Sequence, residues 1–238
     1  MSSIKKIFSK LFSSFSLQDT KVVANERLSP HFQFLTIKGN ALKNSDWVPG
    51  HKIKVALSGD EKRSYTPSSW DRENGVMQTL VYMHGKGPGA LWARDVKPKS
   101  KVKISSPGSP LPIEPHIKSV LFFGDETTFG LAHALKKYSQ THYQFFFEST
   151  DTQESLGVLQ KMDLTQSRLV ELNKLDLLAQ EINGLFKDPQ FTKIILSGKQ
   201  QSIALLREKL YALGLPKESI GIKVYWGWKD DPNGKLKK

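Results

Sequence analysis

A proline-rich segment divides this 238-residue sequence into two parts whose hydrophobic residues follow different periods. The segment runs from Pro107 to Pro115, and its four prolines exclude both a helix and a central strand. We therefore expect it to join two domains. The predicted divisions are an amphipathic segment at 1–17, a β-barrel domain at 18–108, a linker at 109–117 and an α/β domain at 118–238.

The first part favours short antiparallel strands. Apolar and polar residues alternate in Lys52–Val55 and again in Lys101–Ile104, as expected for strands with one buried face. Turn residues separate such runs at short spacing, which is typical of a small antiparallel barrel. The predicted strands are Lys21–Asn25, Phe32–Lys38, Lys52–Ser58, Met77–Met83 and Lys101–Ser106.

The second part favours a parallel sheet with crossover helices, because short apolar runs alternate with helical patterns. The predicted strands are 119–123, 143–148, 168–172, 192–197 and 221–226, and the predicted helices are 125–138, 175–186 and 200–213. Ligands bind beyond the carboxyl ends of the strands in such sheets. We therefore expect 124–128 and 197–200 to lie at the same edge.

Two charged residues of that edge have simple interpretations. Asp125 is interpreted as a carboxylate that complements a helix N-terminus. Lys199 also precedes a helix, where the helix dipole opposes a cation, so it is expected to have a compensating anion. A phosphate of NAD(P)H or an acidic substrate would supply that anion, and so would solvation.

The composition excludes several kinds of functional site. The sequence has no cysteine, which excludes disulfides, cysteine-bound iron–sulfur clusters and thiol nucleophiles. Its six histidines lack the spacing of a metal site, and no nucleophile–base or paired-carboxylate arrangement is present. We therefore expect no metal site and no acid–base or nucleophilic catalytic residue. No apolar run is long enough to span a membrane, and we expect a cytoplasmic monomer.

The formal net charge of +12 implies affinity for anions. The basic and aromatic residues do not follow any nucleic-acid-binding module, so we expect no nucleic acid partner. A basic cleft for an anionic small molecule and attraction to anionic lipid both remain open. Residues 1–17 place apolar side chains at helical spacing among three lysines, a pattern that would lie on a membrane surface or pack on its own domain.

The stretch from Arg63 to Trp92 combines residue types that suit a conjugated, phosphate-bearing cofactor. The guanidinium of Arg63 would fork onto phosphate oxygens. The ring of Tyr65 would stack on an isoalloxazine face, and Thr66 offers a donor and an acceptor to a ring nitrogen. We interpret the stretch as a flavin site.

The second half of that stretch is a glycine-rich bend before a short helical pattern. Gly85, Gly87 and Gly89 lack a Cβ, so their backbone N–H groups can approach an anion closely. A helix opening near Ala90 would point its N-terminus at a phosphate. The bend matches neither a dinucleotide-binding fingerprint nor a P-loop.

These segments together resemble the siderophore-interacting family of flavoproteins, a branch of the ferredoxin-reductase-like superfamily. The resemblance extends over roughly residues 19–228 and includes Pro49-Gly50 and the C-terminal Tyr225-Trp226. It implies a two-domain fold, with an FAD-binding antiparallel β-barrel followed by an NAD(P)H-binding-like α/β domain. The matching segments are 63–66, 84–85, 87–93 and 124–127.

The resemblance also implies a set of ligand contacts. FAD would be bound non-covalently, with NAD(P)H or a ferredoxin as the reductant. Trp226 resembles the aromatic residue that covers the flavin in this superfamily. The residues expected at the cofactor are Arg63, Ser64, Tyr65, Thr66, His84, Gly85, Gly87, Pro88, Gly89, Ala90, Trp92, Asp125, Thr127, Thr128 and Trp226. Those expected at the substrate are Lys199, Lys223 and Lys229.

The sequence departs from the family pattern at two places. Ser68 stands where the family usually has a second arginine, which removes one expected phosphate contact. Ser197-Gly198-Lys199 replaces the common Ala-Gly-Glu, which alters the face that would meet the reductant.

The resemblance implies an enzyme that passes electrons from FAD to iron(III) in a siderophore. Reduction weakens the hold of hard oxygen ligands on the metal. Two alternatives remain open at this stage. One is an oxidoreductase of the same fold with another acceptor, and the other is a flavin-free siderophore-binding protein.

Overall fold

The structure, a computed structural model, describes residues 17–57, 61–114, 116–172 and 174–227. These residues form two compact units. The first contains the residues up to Pro110 together with Gly130–Tyr138, and the second contains Leu111–Phe129 and the residues from Ser139 onward. The predicted segment 1–17 lies outside the described residues except for its last position.

The first unit contains an antiparallel sheet of seven strands, in the spatial order β4-β3-β7-β1-β2-β6-β5. The pattern of alternating residues accounts for it, because Ile53 and Val55 are buried while Lys54 between them is exposed. The strands are β1 Gln18–Ser29, β2 Phe32–Lys38, β3 Ile53–Ala56, β4 Lys62–Tyr65, β5 Ser69–Asp71, β6 Val76–Tyr82 and β7 Lys101–Ile104.

One helix of this unit, α1, runs from Pro88 to Asp95 between β6 and β7. Proline occupies its first turn, where a missing N–H costs nothing. The side-chain amide of Asn25 on β1 donates to the carbonyls of Ala93 and Val96 at 2.9 and 2.8 Å. These two bonds satisfy carbonyls that the helix end leaves without a partner.

The second unit contains a parallel sheet of five strands in the order β10-β9-β8-β11-β12. The strands are β8 Ser119–Asp125, β9 His142–Ser149, β10 Arg168–Glu171, β11 Lys193–Lys199 and β12 Ile220–Trp226. The helices that follow them are α2 Phe129–Tyr138, α3 Thr152–Lys161, α4 Leu175–Phe186 and α5 Gln200–Ala212. Strand order reverses between β8 and β11, so the carboxyl ends of these two strands form the switch point where ligands bind in such sheets.

The predicted fold class is confirmed: an antiparallel β-domain precedes a parallel α/β domain. Three elements were not predicted, β4, β5 and α3. The two strands are only four and three residues long, and α3 is a polar helix whose start depends on a side-chain cap by Asp151.

The sequence also placed residues 130–138 in the α/β domain, whereas they group with the first unit. At Gly130, the first residue of this stretch, a Cβ would lie 3.2 Å from Leu80 of β6. Among the described helices, none is long and apolar enough to cross a membrane.

Candidate functional site

Arg63 and Tyr65 lie on the same face of β4, because alternate side chains of a strand point the same way. The Arg63 guanidinium is partly buried, with 30% of its side chain exposed. It donates to Glu61 Oε1 at 2.6 Å and to the carbonyl of Lys62 at 2.9 Å. Arg63 is thus held beside the carboxylate of Glu61.

Tyr65 contacts the start of helix α1. Its hydroxyl donates to the carbonyl of Gly89 at 3.2 Å, and its ring centroid lies 5.7 Å from that of Trp92. Burial raises the pKa of the Tyr65 hydroxyl, against the opposing effect of the Arg63 charge. The hydroxyl therefore stays protonated and acts as a donor.

Gly89 is the position where backbone and side chains approach most closely in this cluster. A Cβ at Gly89 would lie 2.9 Å from the Tyr65 hydroxyl oxygen and 3.2 Å from Arg63 Cγ. Only glycine fits such a contact without displacement. At Gly87, two residues earlier, a Cβ would meet nothing within 4 Å.

The N-terminus of α1 is open to a ligand. Gly87 is its extended N-cap residue, and no side chain caps the first turn. The N–H groups of Gly89 and Ala90 have no intrahelical acceptor at that position. Helix α1 therefore offers two backbone donors next to Arg63 and Tyr65.

The structure explains the serine that replaces the expected second arginine. Ser68 is fully buried, and its backbone N–H and hydroxyl both donate to the Gln78 carbonyl, at 2.8 and 3.2 Å. An arginine side chain would not fit this position without displacing the surrounding strands. Thr66 is also buried, and its carbonyl accepts a bond from the Thr79 hydroxyl at 3.1 Å.

Three other predicted residues lie on β4 or in the bend after β6. Ser64 is exposed and points to the opposite face of β4 from Arg63 and Tyr65. His84 is exposed, with its ring 6.2 Å from that of Tyr82. Gly85 has a φ of 70°, which shapes the bend between β6 and α1.

A pocket of about 200 Å³ opens on the Ser64 face of the sheet. Two backbone hydrogen bonds between Lys52 and Gly108, at 2.7 and 2.9 Å, form one wall. The described residues that line it include two lysines and four serines but no carboxylate; they are Lys52, Ile53, Lys54, Ser64, Ser105, Ser106, Pro107, Gly108 and Ser109. Burial lowers the pKa of the Lys52 ammonium group to about 8. We call this the basic pocket.

In the second unit, Asp125 ends β8 at the switch point and is only 3% exposed. One carboxylate oxygen accepts bonds from the backbone N–H and the hydroxyl of Thr127, the former at 2.9 Å. The other oxygen accepts from the backbone N–H of Lys199 at 2.7 Å. Burial raises the pKa of Asp125 to about 6, although the hydrogen bonds from Thr127 and Trp226 oppose this shift.

The close approach of β11 to Asp125 depends on Gly198. This residue has a φ of 105°, and a Cβ there would lie 2.6 Å from the Asp125 carboxylate. Thr128 closes the same turn, with its hydroxyl donating to the Asp125 carbonyl at 2.7 Å. Asp125 therefore joins two strands and the turn after β8, a larger role than the predicted helix-start carboxylate.

Trp226 at the end of β12 completes this group. Its indole N–H donates to Asp125 at 2.9 Å, and the Lys199 ammonium nitrogen lies 5.4 Å from the ring centroid. A cation over an indole face is attracted by the ring quadrupole. The ammonium group of Lys199 thus lies against an aromatic face, and an anion that compensates its charge stays a prediction. The contact of Trp226 with a flavin stays a prediction.

Other backbone N–H groups at this edge of the sheet already donate hydrogen bonds to carboxylates of the chain. Glu126 accepts from the Thr150 N–H at 2.5 Å, and Asp151 accepts from the Glu154 N–H at 2.9 Å. Glu148 is buried and accepts from the Ser202 hydroxyl. The sheet edge is therefore acidic and capped by its own side chains.

The remaining predicted substrate lysines differ in position. Lys223 is only 8% exposed, and its carbonyl accepts from the Ser197 hydroxyl at 2.9 Å. A buried lysine is a poor element of a docking face. Lys229 lies outside the described residues. No group of three or more His, Asp or Glu that would hold a metal is present in the described ranges.

Sequence reasoning missed the basic pocket. Lys52 and Ser105 are more than fifty residues apart, and only the pairing of β3 with β7 brings them together. The alternating Lys52-Ile53-Lys54 pattern indicated an outward basic face, but it did not indicate the serine-rich wall.

Comparisons with known proteins relate this geometry to a family. Residues 60–111 match the siderophore-interacting FAD-binding domain, and they contain Arg63, Tyr65 and all of α1. A comparison with curated proteins gave no match.

Several solved structures share the fold. A siderophore-interacting protein from Acinetobacter baumannii has a TM-score of 0.70 and 17% identity, covering 90% of this chain and 91% of that one. One from Aeromonas hydrophila has a TM-score of 0.69 and 17% identity, covering 89% and 98%. A ferredoxin-NADP+ reductase from Plasmodium falciparum has a TM-score of 0.66 and 14% identity, covering 88% and 96%. The fold is therefore ferredoxin-reductase-like.

Proposed function

We propose that this chain, whose residues 60–111 match the siderophore-interacting FAD-binding domain and whose fold is ferredoxin-reductase-like, is an FAD-dependent oxidoreductase that reduces ferric siderophores. The observation that carries the proposal is the close packing of Gly89 against Arg63 and Tyr65. This packing lies inside the matched residues 60–111 and places a cation, an aromatic ring and an uncapped helix start together.

The residues of this cluster fit the chemistry of FAD. Arg63 would exchange its bond to Glu61 for the pyrophosphate, because a guanidinium forks onto phosphate oxygens. The N–H groups of Gly89 and Ala90 would donate to the same anion at the helix N-terminus. Tyr65 would lie against the isoalloxazine ring, with Thr66 as a hydrogen-bonding neighbour.

When bound, FAD supplies two-electron uptake from a donor and one-electron delivery to iron(III). The protein's part is to hold and orient the cofactor and to attract the acceptor. No side chain needs to act as an acid, a base or a nucleophile on the siderophore. The cytoplasm is the compartment that the proposal assumes.

We propose that the basic pocket attracts the anionic part of the acceptor. Lys52 and Lys54 supply positive charge, and the hydroxyl of Ser64 offers a hydrogen-bond donor. The lining contains no carboxylate that would compete with an anion. An anionic ferric complex would be held by these groups, whereas a neutral complex would gain little from them.

The electron donor is NAD(P)H or a ferredoxin, and one observation favours the ferredoxin. The described backbone donors of Thr127, Thr150, Glu154 and Lys199 at the sheet edge already bond to carboxylates of the chain. A nucleotide pyrophosphate would have to displace those carboxylates and approach their charge. An electron donor that is a protein does not need backbone N–H groups that bind a phosphate.

The first experiment concerns the cofactor. The purified protein is heat-denatured and the released small molecule identified by chromatography and mass. FAD is expected at about one per chain. Arg63→Ala is expected to weaken FAD retention, and Tyr65→Ala to change the flavin spectrum. Unchanged occupancy and spectra in both variants would contradict the site.

The second experiment separates the rival functions. Anaerobic protein is mixed with NADH, NADPH or reduced ferredoxin, and flavin bleaching is followed by stopped flow. Ferric siderophores are then added, and reoxidation is expected only with an iron(III) complex present. Reoxidation by ferredoxin but not by ferric complexes would instead identify another acceptor. A protein that binds siderophores but takes no flavin would be a binding protein.

A further inference from the structure

The basic pocket contains two lysines in different surroundings. Lys52 is half-buried immediately before β3, and two backbone hydrogen bonds to Gly108 hold its main chain. Lys54, two residues later, is exposed. Both side chains line the same pocket of about 200 Å³. An ammonium group that is partly removed from water beside a second cation loses part of its preference for the proton.

The amine of Lys52 is therefore available as a nucleophile. Burial lowers the pKa of Lys52 to about 8. About one-tenth of this amine is thus uncharged at pH 7, against roughly 1 in 2,500 for an ordinary lysine. Only the uncharged amine has the lone pair that attacks an electrophilic carbon. The pocket combines this amine with space for a small electrophile.

The groups around the amine favour a negatively charged product. Lys54 lies roughly 7 Å along the strand from Lys52 and supplies an ammonium group. Ser64 lies directly opposite Lys54 on β4, and its hydroxyl can donate a hydrogen bond. The described residues that line the pocket include no carboxylate. An anion formed on Lys52 would therefore meet a cation and a hydroxyl donor.

The neighbouring strands add charge of the same sign. Lys62 lies two residues from Ser64 on the same face of β4, and Lys103 of β7 is exposed. Arg63 points to the opposite face of β4 and pairs with Glu61 at 2.6 Å. Within the part of the chain that the structure describes, the titratable groups that line the pocket are thus both cations.

We propose that the basic pocket is a site for carbon dioxide, which reacts with the amine of Lys52 to form a carbamate. The nitrogen lone pair forms a bond to the carbon of carbon dioxide. One C=O bond opens to give a carboxylate oxygen, and the nitrogen releases a proton to solvent. No electron is gained or lost in this step. The charge of the side chain changes from positive to negative.

Carbon dioxide fits this pocket better than an acyl donor does. Transfer of an acyl group to Lys52 would give a neutral amide, which gains nothing from the charge of Lys54. A carbamate is an anion, so the ammonium group of Lys54 and the hydroxyl of Ser64 would both stabilise it. The product also fits the volume of the pocket, since carbon dioxide adds few atoms to the side chain.

The carbamate would regulate acceptor binding, and this part of the inference rests on the proposed role of the basic pocket in attracting the acceptor. A carboxylate on Lys52 would repel the anionic ferric complex that the unmodified pocket attracts. At constant pressure of carbon dioxide, the carbamate fraction rises with pH, because the uncharged amine becomes more abundant.

Chemical trapping measures the carbamate on the full, unmodified chain. The protein is incubated with isotopically labelled carbon dioxide and treated with a trialkyloxonium salt, which converts a carbamate into a stable ester. Proteolysis and mass spectrometry then locate the label. We expect the label on Lys52 at a level roughly tenfold or more above that on the exposed Lys62 and Lys118.

Three variants separate the reactive amine from its charge. Lys52→Arg keeps a positive charge but has no uncharged amine, so it should carry no label at this position. Lys54→Gln keeps the amine of Lys52 and removes the neighbouring cation, so the label on Lys52 should fall roughly threefold. Lys118→Gln, at an exposed lysine of the second unit, serves as the matched control and should keep the label on Lys52.

Titration with ferric citrate, an anionic ferric complex, measures the consequence for binding. The titration is performed under nitrogen and under carbon dioxide at the same pH. Carbon dioxide should weaken binding by the wild type roughly threefold and should not change binding by Lys52→Arg. Lys52→Glu imitates the charge of the carbamate and should bind roughly tenfold more weakly than the wild type under either gas.

The two measurements separate this inference from the proposed function. Absence of the label from Lys52, or equal label on Lys52, Lys62 and Lys118, would overturn the carbamate site. Label on Lys52 in a protein that does not bind ferric citrate would support the carbamate site and contradict the role of the pocket in acceptor binding. Label on Lys52 with an unchanged affinity for ferric citrate would overturn the regulation.

Discussion

The indole N–H of Trp226 donates a hydrogen bond to the carboxylate of Asp125 at 2.9 Å, although 101 positions separate the two residues in the chain. The same carboxylate accepts bonds from Thr127 and from the backbone of Lys199. One buried acid therefore fixes the ends of three strands, β8, β11 and β12, at the edge where the strand order reverses.

Removing this acid is expected to destabilise the protein. Asp125→Ala leaves partly buried N–H groups of Thr127, Lys199 and Trp226 without this acceptor. We expect a loss of about 3 kcal/mol in the free energy of unfolding, measured by urea denaturation. Asp46→Ala, at an exposed carboxylate, serves as the control. Equal losses in both variants would show that Asp125 does not hold the edge together.

The pKa of Asp125 predicts how stability depends on pH. Its value of about 6 in the folded protein lies above the ordinary 3.8, so the folded state binds the proton more tightly than the unfolded state. The stabilising contribution is therefore fully present below the unfolded pKa and is lost as pH rises through about 6. Relative to Asp125→Asn, the wild type should gain stability between about pH 7 and about pH 5. A difference that is constant over that interval, or that falls, would contradict the assignment.

Gly89 and Gly87 provide a matched pair for the proposed flavin site. Gly89→Ala would push a methyl group against Tyr65 and Arg63, whereas Gly87→Ala meets open space. We expect Gly89→Ala to raise the Kd for FAD about tenfold or more, since overpacking costs about 1–3 kcal/mol. Gly87→Ala should bind FAD like the wild type. Fluorescence titration of the apoprotein measures the Kd for FAD of both variants. Equal FAD affinities of the two variants would contradict the assignment of FAD to the cluster of Arg63, Tyr65 and Gly89.

The basic pocket predicts a pH-dependent acceptor affinity. Because the Lys52 pKa is about 8, its positive charge is present below that pH and is lost above it. The affinity for an anionic ferric complex should therefore fall as pH rises through about 8. Lys52→Gln should weaken binding roughly fivefold at neutral pH and abolish this dependence, and Lys62→Gln on the neighbouring strand should do neither. If the affinity for the ferric complex depended on pH in the same way in the wild type and in Lys52→Gln, the basic pocket would not be the site that attracts the acceptor.

The sequence predicted the two-part fold because the periodicity that identifies each part is visible within short segments of the chain. Alternation in Lys52–Val55 and the strand–helix succession after Pro115 are properties of short segments. The cluster of Arg63, Tyr65 and Gly89 was also expected, since motif order brings these residues close in sequence. Ser64 was predicted in the same set, and side-chain alternation on β4 places it on the opposite face from Arg63 and Tyr65.

Other features depend on pairing between distant strands. The role of Asp125 required the adjacency of β8 and β11 and the positive φ of Gly198, neither of which a local pattern reveals. The row formed by Lys21, Lys38 and Lys101 required the register of three strands. The polar helix α3 was missed because its start depends on a side-chain cap rather than on a strong apolar stripe.

The central claim is that the first unit holds FAD and passes its electrons to iron(III). Anaerobic reduction of the purified protein followed by addition of a ferric siderophore measures this directly. The account predicts FAD absorbance that bleaches on reduction and returns as an iron(II) chelator develops its colour. A colourless protein that takes up no added FAD, or a reduced flavin that ferric siderophores leave unchanged, would contradict it.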